Sequence, residues 1–155
     1  MSYLISPPHG LSEVRRVFGD IRVVDGIVMP QSWEDVHMVL VNDLPGYSGH
    51  KVYLNKAVES PLRDALTACA MLNDGYLIEH LGCFAPRAKR GHPDEISLHS
   101  FGIAVDINPD QNPRGNPMVR DIPDAWVAEF EKVGWTWGGR FPTADAMHLQ
   151  FASGC

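Results

Sequence analysis

Two short stretches of the chain concentrate side chains that bind metal ions and move protons. In SLHSFGIAVDIN, residues 97–108, a strand's period of two puts Ile103, Val105 and Ile107 on one face and Ala104 and Asp106 on the other. In MHLQF, residues 147–151, the same rule sends Met147, Leu149 and Phe151 into a core and leaves His148 and Gln150 opposite. If these two strands are sheet neighbours, Asp106 and His148 come within metal-ligand reach of each other. His99, on the turn before Gly102, can then fold back as a third ligand. A His, Asp, His set suits zinc, and three protein ligands leave a fourth position for water, as in a catalytic rather than a structural zinc site.

Such a water needs a base, and Asp145 stands three residues before His148. In a straight strand the two would face opposite ways, so the chain must bend near Ala146, which the preceding Gly138-Gly139 and Pro142 favour. Asp145 would take the water's proton and return it to a leaving amine. A cation is also needed for a developing oxyanion or a substrate carboxylate. Arg87 in GCFAPR is the first candidate and Arg90 the second. Each residue also has a plainer reading: Asp145 as a turn residue, Arg87 and Arg90 as a solvated basic turn, a lone histidine as a structural one. His80 and His92 are near enough in sequence to compete as ligands. The case for a metal rests on the combination.

Around these motifs the pattern predicts a helix over residues 60–73, with Ser60 as cap, Pro61 at its first position and a stripe of Leu62, Leu66, Cys69 and Leu72, stopped by Gly75. Residues 76–84 read as a strand, residues 85–97 as a charged exposed loop, residues 103–107 as a short strand and DQNPRGNP as a long turn. A second helix is expected over residues 123–133, with Trp126, Phe130 and Val133 on one face and Gly134 at its end. WTWGGR then turns into the strand at residues 147–151. Residues 1–50 read as short strands, IRVV and VHMVLV among them, separated by turns. This order lacks regular strand-helix-strand alternation and predicts an α+β fold with a mainly antiparallel sheet flanked by helices and the zinc site on the sheet face.

The length of 155 residues supports one domain over residues 1–155, its motif-bearing core at about 60–151. A formal charge of −6 argues against nucleic acid as a partner. No apolar run approaches the roughly 18 residues that cross a bilayer, and MSYLISPPHG has neither a basic nor an apolar leader region, so no membrane insertion and no export signal are expected. Cys69, Cys83 and Cys155 are too widely spaced for a zinc site of cysteines. Cys69 reads as core and Cys155 as an exposed free thiol. Trp126, Trp135 and Trp137 read as packing residues, with Trp137, beside the glycines, the one nearest a substrate.

The pattern S-x-H-x-x-G-x-A-x-D (Ser97, His99, Gly102, Ala104, Asp106), followed by W-G-G (Trp137, Gly138, Gly139) and D-x-x-H (Asp145, His148), resembles the VanY-like zinc D-Ala-D-Ala carboxypeptidases. That family includes the L-Ala-D-Glu endopeptidases used as phage endolysins and shares its metal-site plan with the Hedgehog domain. The resemblance implies zinc on His99, Asp106 and His148, an acid/base at Asp145, and substrate contacts near Arg87, Ser97 and Trp137; Arg90 remains the second cationic candidate from the residues themselves. It implies hydrolysis of peptidoglycan stem peptides. A monomer is expected and, from the missing export signal, one made in the cytoplasm and acting on the bacterial cell wall, released by a membrane partner if phage-encoded. The similarity covers about residues 82–151 and thins over the first fifty. Many relatives place the arginine directly after an aromatic, whereas Ala85-Pro86 separates Phe84 from Arg87 here. The other reading is a non-catalytic, zinc-stabilised binding module for cell wall or protein. Asp145 argues against it, because a structural site has no use for a proton acceptor beside water.

Overall fold

A computed structural model describes residues 5–155; the first four residues of the MSYLISPPHG start lie outside it. In chain order the elements are α1 (Gly10–Phe18), β1 (Arg22–Val23), β2 (Ile27–Val28), α2 (Trp33–His37), β3 (Met38–Val41), β4 (Val52–Asn55), a 3-10 turn (Lys56–Val58) and α3 (Glu59–Met71). Then follow β5 (Leu81–Gly82), β6 (Ala88–Lys89), β7 (His92–Ile96), a 3-10 turn (Leu98–Phe101), β8 (Ala104–Ile107), α4 (Asp124–Lys132), β9 (Thr136–Trp137), a 3-10 turn (Gly138–Arg140) and β10 (His148–Gln150). Every ladder between named strands is antiparallel, and helices pack against the sheets, which is the expected α+β class.

The central sheet runs β5-β8-β10-β9, and three two-stranded ribbons, β1-β2, β3-β4 and β6-β7, surround it. Ile103, Val105, Ile107, Leu149 and Phe151 are all fully buried, so one face of β8 and β10 is core. Phe151 meets the edge of Trp135, whose ring also meets Phe130 of α4 and whose indole N–H donates to the Pro61 carbonyl of α3. Burial of each of these large side chains contributes about 1.5–3 kcal/mol, enough to lock both helices onto that face. The other face, with Ala104, Asp106, His148 and Gln150, opens on a cleft.

Several expectations need correcting. α3 begins at Glu59, and Ser60 lies inside it; the cap belongs to Asn55, whose side chain accepts from the Ala57 N–H at the start of the 3-10 turn. The helix ends before Gly75, with Asn73 in the left-handed region, and Leu72 is partly exposed rather than part of the buried stripe. Of residues 76–84 only Leu81–Gly82 join a ladder. Asn108 diverts the rest: its amide oxygen accepts from the Glu79 and His80 N–H groups and its NH₂ donates to the Leu77 carbonyl. The charged segment after Phe84 is a hairpin, exposed as its composition demands but paired in β6-β7 and tied by Lys89 to Glu95 at 3.0 Å. In the first fifty residues the strands are present but are joined by α1 and α2. The Gly and Pro content around α1 conceals Leu11, Val14 and Phe18, which recur at helical spacing and face the core.

Candidate metal centre

The register of the central sheet sets the site. β8 and β10 pair with His148 directly opposite Asp106 and Gln150 opposite Ala104, which puts the carboxylate and the imidazole on the same face. His99 enters from the 3-10 turn before β8. Its main-chain N–H is held by Ser97 Oγ at 3.3 Å, its carbonyl accepts from Ala85 N–H, and its ring Nδ1 lies 2.6 Å from the Cys83 carbonyl. Asn55, from β4, fixes the far side of that turn: its N–H donates to the Gly102 carbonyl and its side chain to the Phe101 carbonyl. Gly102 is required there twice over. Its φ is +65°, and an added Cβ would lie 2.8 Å from the Asn55 nitrogen and from Met38.

Three atoms converge from these elements. His99 Nε2, Asp106 Oδ1 and His148 Nδ1 stand 3.2 Å from one another along every edge. A tetrahedral ion with bonds of about 2.0–2.1 Å has ligand-ligand edges of about 3.3 Å, so the triangle has the size such a centre needs. The donor chemistry agrees. Cys83's carbonyl can only accept, so His99 carries its proton on Nδ1 and turns the Nε2 lone pair toward the carboxylate. Among the described residues this is the one cluster of its kind, and His80 and His92 are not in it. Burial alone pushes the Asp106 carboxyl up, but hydrogen bonds and charge from His148 and His99 outweigh it and leave the group below the usual carboxylate range. Burial pulls His148 down, and Asp106, Gln150 and Asp145 together raise it above the ordinary imidazole value.

Asp145 lies beside this triangle because the chain does turn at Ala146: the His148 N–H bonds back to the Asp145 carbonyl at 3.1 Å. Gly138 makes room for that turn. A Cβ on it would stand 2.6 Å from the Asp145 carbonyl oxygen and 3.1 Å from His148 Cβ. Asp145 Oδ1 is buried and has no hydrogen-bond partner, while Oδ2 is 4.0 Å from Arg114 Nε. An unpartnered buried carboxylate oxygen is costly, which marks a place for a group that arrives with substrate or solvent. Burial raises the Asp145 pKa; the charges of His148, Arg114 and Arg90 oppose that rise and Asp106 adds to it.

A cleft of about 340 Å³ opens over these groups, within the range of ligand-binding pockets, with Arg87, Lys89, Arg90 and Arg114 along its rim. Arg87 is fixed through its main chain, which exchanges two hydrogen bonds with Ser100 Oγ, while Arg90 is exposed. Ser97 lines the cleft but is buried. Trp137 does not line it: its indole N–H donates to the Ala146 carbonyl, and Arg120 and Arg140 flank its ring, so it braces the Asp145 turn from behind. Cys155 is half-buried at the cleft wall rather than exposed, and burial raises its thiol pKa. Cys69 and Cys83 are buried thiols, the first pushed up to about 12.

Arg114 escapes sequence reasoning. It lies in the DQNPRGNP turn, and that turn pairs with the Asp145 loop through an Arg114-Asp145 bridge, Gly115 N–H to the Ala144 carbonyl, and Asn116 to the Pro142 carbonyl. Loop-to-loop pairing has no periodicity to read.

Residues 90–151 match the family model of D-alanyl-D-alanine carboxypeptidase, which supports the VanY-like resemblance over the segment that bears the site. Comparison with curated proteins and with solved structures gave no match.

Proposed function

With residues 90–151 falling in a D-alanyl-D-alanine carboxypeptidase family of metallopeptidases, we propose that the protein is a zinc peptidase acting on peptidoglycan stem peptides, of carboxypeptidase or L-Ala-D-Glu endopeptidase type. The observation that supports this best is the 3.2 Å triangle of His99, Asp106 and His148 beside an unpartnered Asp145 oxygen. Those three side chains would hold the ion, and zinc bound there supplies Lewis acidity, which polarises a carbonyl and acidifies water.

The chain's own residues do the rest. Asp145 Oδ1 accepts the proton of the attacking water and delivers it to the amine that leaves. Its raised pKa suits that return step, because a carboxyl that holds its proton more tightly than usual is the better match to a group working near neutral pH. Arg114 and Arg87 bind a carboxylate of the substrate and orient it across the cleft. Arg90, exposed on the hairpin, adds positive potential beside Asp145 in a chain whose formal charge is −6, while Lys89 is paired with Glu95. The substrate so described is an anionic peptide, as a stem peptide with its free carboxylates is. Digestion of purified peptidoglycan, with products identified by mass spectrometry, tests the reading and reports which bond is cut. Release of D-Ala or of a stem peptide is the expected result; intact peptidoglycan with zinc-loaded protein would favour a binding module instead.

A further inference from the structure

We infer that Gln150 is a positioning residue, whose side-chain carbonyl holds His148 in the tautomer that leaves Nδ1 free to bind a metal ion. The inference rests on the metal reading of the site and adds to it the group that selects which nitrogen of His148 does the binding.

Gln150 is buried on β10, two residues beyond His148 and on the same face. Its amide nitrogen lies 3.3 Å from the Ala152 carbonyl oxygen and 3.2 Å from that of Cys155. Main-chain carbonyls only accept, so the NH₂ end of the amide must point at them and the orientation of the whole amide follows from its neighbours. The oxygen end then faces His148 Nε2 at 3.0 Å. An amide oxygen also only accepts, so the His148 ring must carry its proton on Nε2. A neutral imidazole has one such proton, and Nδ1 is left with a lone pair turned toward Asp106 Oδ1 and His99 Nε2.

Without Gln150 a competing arrangement is available. A proton on Nδ1 would bond directly to Asp106 Oδ1, 3.2 Å away, and satisfy the carboxylate within the protein. That bond would close the position where an ion binds. Gln150 opposes it by offering an acceptor on the other side of the ring, where the proton does not block the centre. His99 reaches the same state by another route, through the Cys83 main-chain carbonyl, so the two histidines present different nitrogens, Nε2 and Nδ1, to one centre. The turn after β10 has a function in this scheme: the carbonyls of Ala152 and Cys155 orient Gln150, which orients His148.

The test compares zinc affinity, by chelator competition, for the unaltered protein, Gln150→Leu and Gln150→Glu, and reads the His148 tautomer from ¹⁵N chemical shifts at a pH where the ring is neutral, with and without zinc. Gln150→Leu is expected to lose roughly 10–100-fold in zinc affinity, the usual effect of removing a group that orients a metal ligand. Gln150→Glu keeps an acceptor for the His148 N–H while losing both donations to Ala152 and Cys155, and is expected to stay within a few-fold of the unaltered protein. The unaltered protein is expected to show the Nε2–H tautomer in both states. Unchanged affinity in Gln150→Leu, an equal fall in both variants, or an Nδ1–H ring in the zinc-free protein would each overturn the inference. If Gln150→Leu does not fold, the tautomer of the unaltered protein still decides. Failure of the unaltered protein to bind zinc at all would instead strike the peptidase reading, and is thereby distinguished.

Discussion

On the floor of the cleft, His99, Asp106 and His148 sit on or beside neighbouring strands of a four-stranded sheet, and each of the two rings has a second hydrogen bond that fixes it. On the rim, Lys89 and Arg90 stand on a two-stranded ribbon, and Arg114 on a loop pinned to another loop. A metal centre tolerates little displacement of its donors, so it is built where ladder register and a packed core determine position. Recognition of a flexible anionic peptide, the proposed substrate, would tolerate much more, and long cationic side chains on exposed backbone would meet that need. The two regions should therefore respond to substitution on different scales.

The largest effect is expected on the floor. Asp106→Ala removes the one anionic member of the triangle, and zinc content and hydrolysis should both fall to background, measured by metal analysis and peptidoglycan digestion. Asp145→Asn should separate binding from turnover: zinc stays, while kcat falls by about 10²–10⁴-fold, the usual contribution of a positioned acid/base. Full activity in Asp145→Asn would remove that residue from the proposed mechanism.

Gly138→Ala tests whether the floor is as intolerant as its packing suggests. The new methyl would stand 2.6 Å from the Asp145 carbonyl oxygen and 3.2 Å from Asp145 Cβ, neither of which is the free end of a flexible side chain. The turn must shift. A destabilisation of about 1–3 kcal/mol is expected from overpacking, read by denaturant unfolding. A loss of up to about 10²-fold in activity should accompany it, because misplacement by about 1 Å has that effect on a reacting geometry. A variant with unaltered turnover would show that the floor yields more readily than the rim contrast implies.

The same division governs what could be read without coordinates. Period-two alternation over residues 103–107 and 147–151 puts Asp106 and His148 on one face, and the sheet does pair those strands in that register. The two glycines and Pro142 before Asp145 signal a bend, and the bend is there. What alternation could not reveal is anything held by irregular contacts. Residues 76–80 look like a strand but spend their main-chain bonds on the Asn108 side chain. Arg114 reaches Asp145 through a bridge between two turns. Trp137, beside two glycines, could face either way, and its pairing opposite core-facing Leu149, with its bond to the Ala146 carbonyl and two flanking arginines, turns it away from the cleft. Local pattern determines a strand's faces; it does not determine which loops meet.

The smallest effects are expected at the rim, and pH and salt together grade them. In the proposed mechanism Asp145 works as a base only when ionised, so activity should fall as pH drops through its pKa. Burial has raised that value, which moves the acidic limb of the pH profile upward. Arg114 and Arg90 both favour the ionised form, so Arg114→Gln and Arg90→Gln should each move the limb further up in pH. They differ in distance and anchoring: Arg114 Nε is 4.0 Å from the Asp145 carboxylate, on a turn bridged to the Asp145 loop, whereas Arg90 stands at the exposed turn of the β6-β7 hairpin. Screening shortens from about 10 Å at 0.1 M salt to about 3 Å at 1 M, so the Arg90→Gln shift should vanish at high salt while part of the Arg114→Gln shift persists. Shifts of equal size and equal salt dependence would mean that Arg114 is no more fixed than the hairpin, and that the rim is uniform.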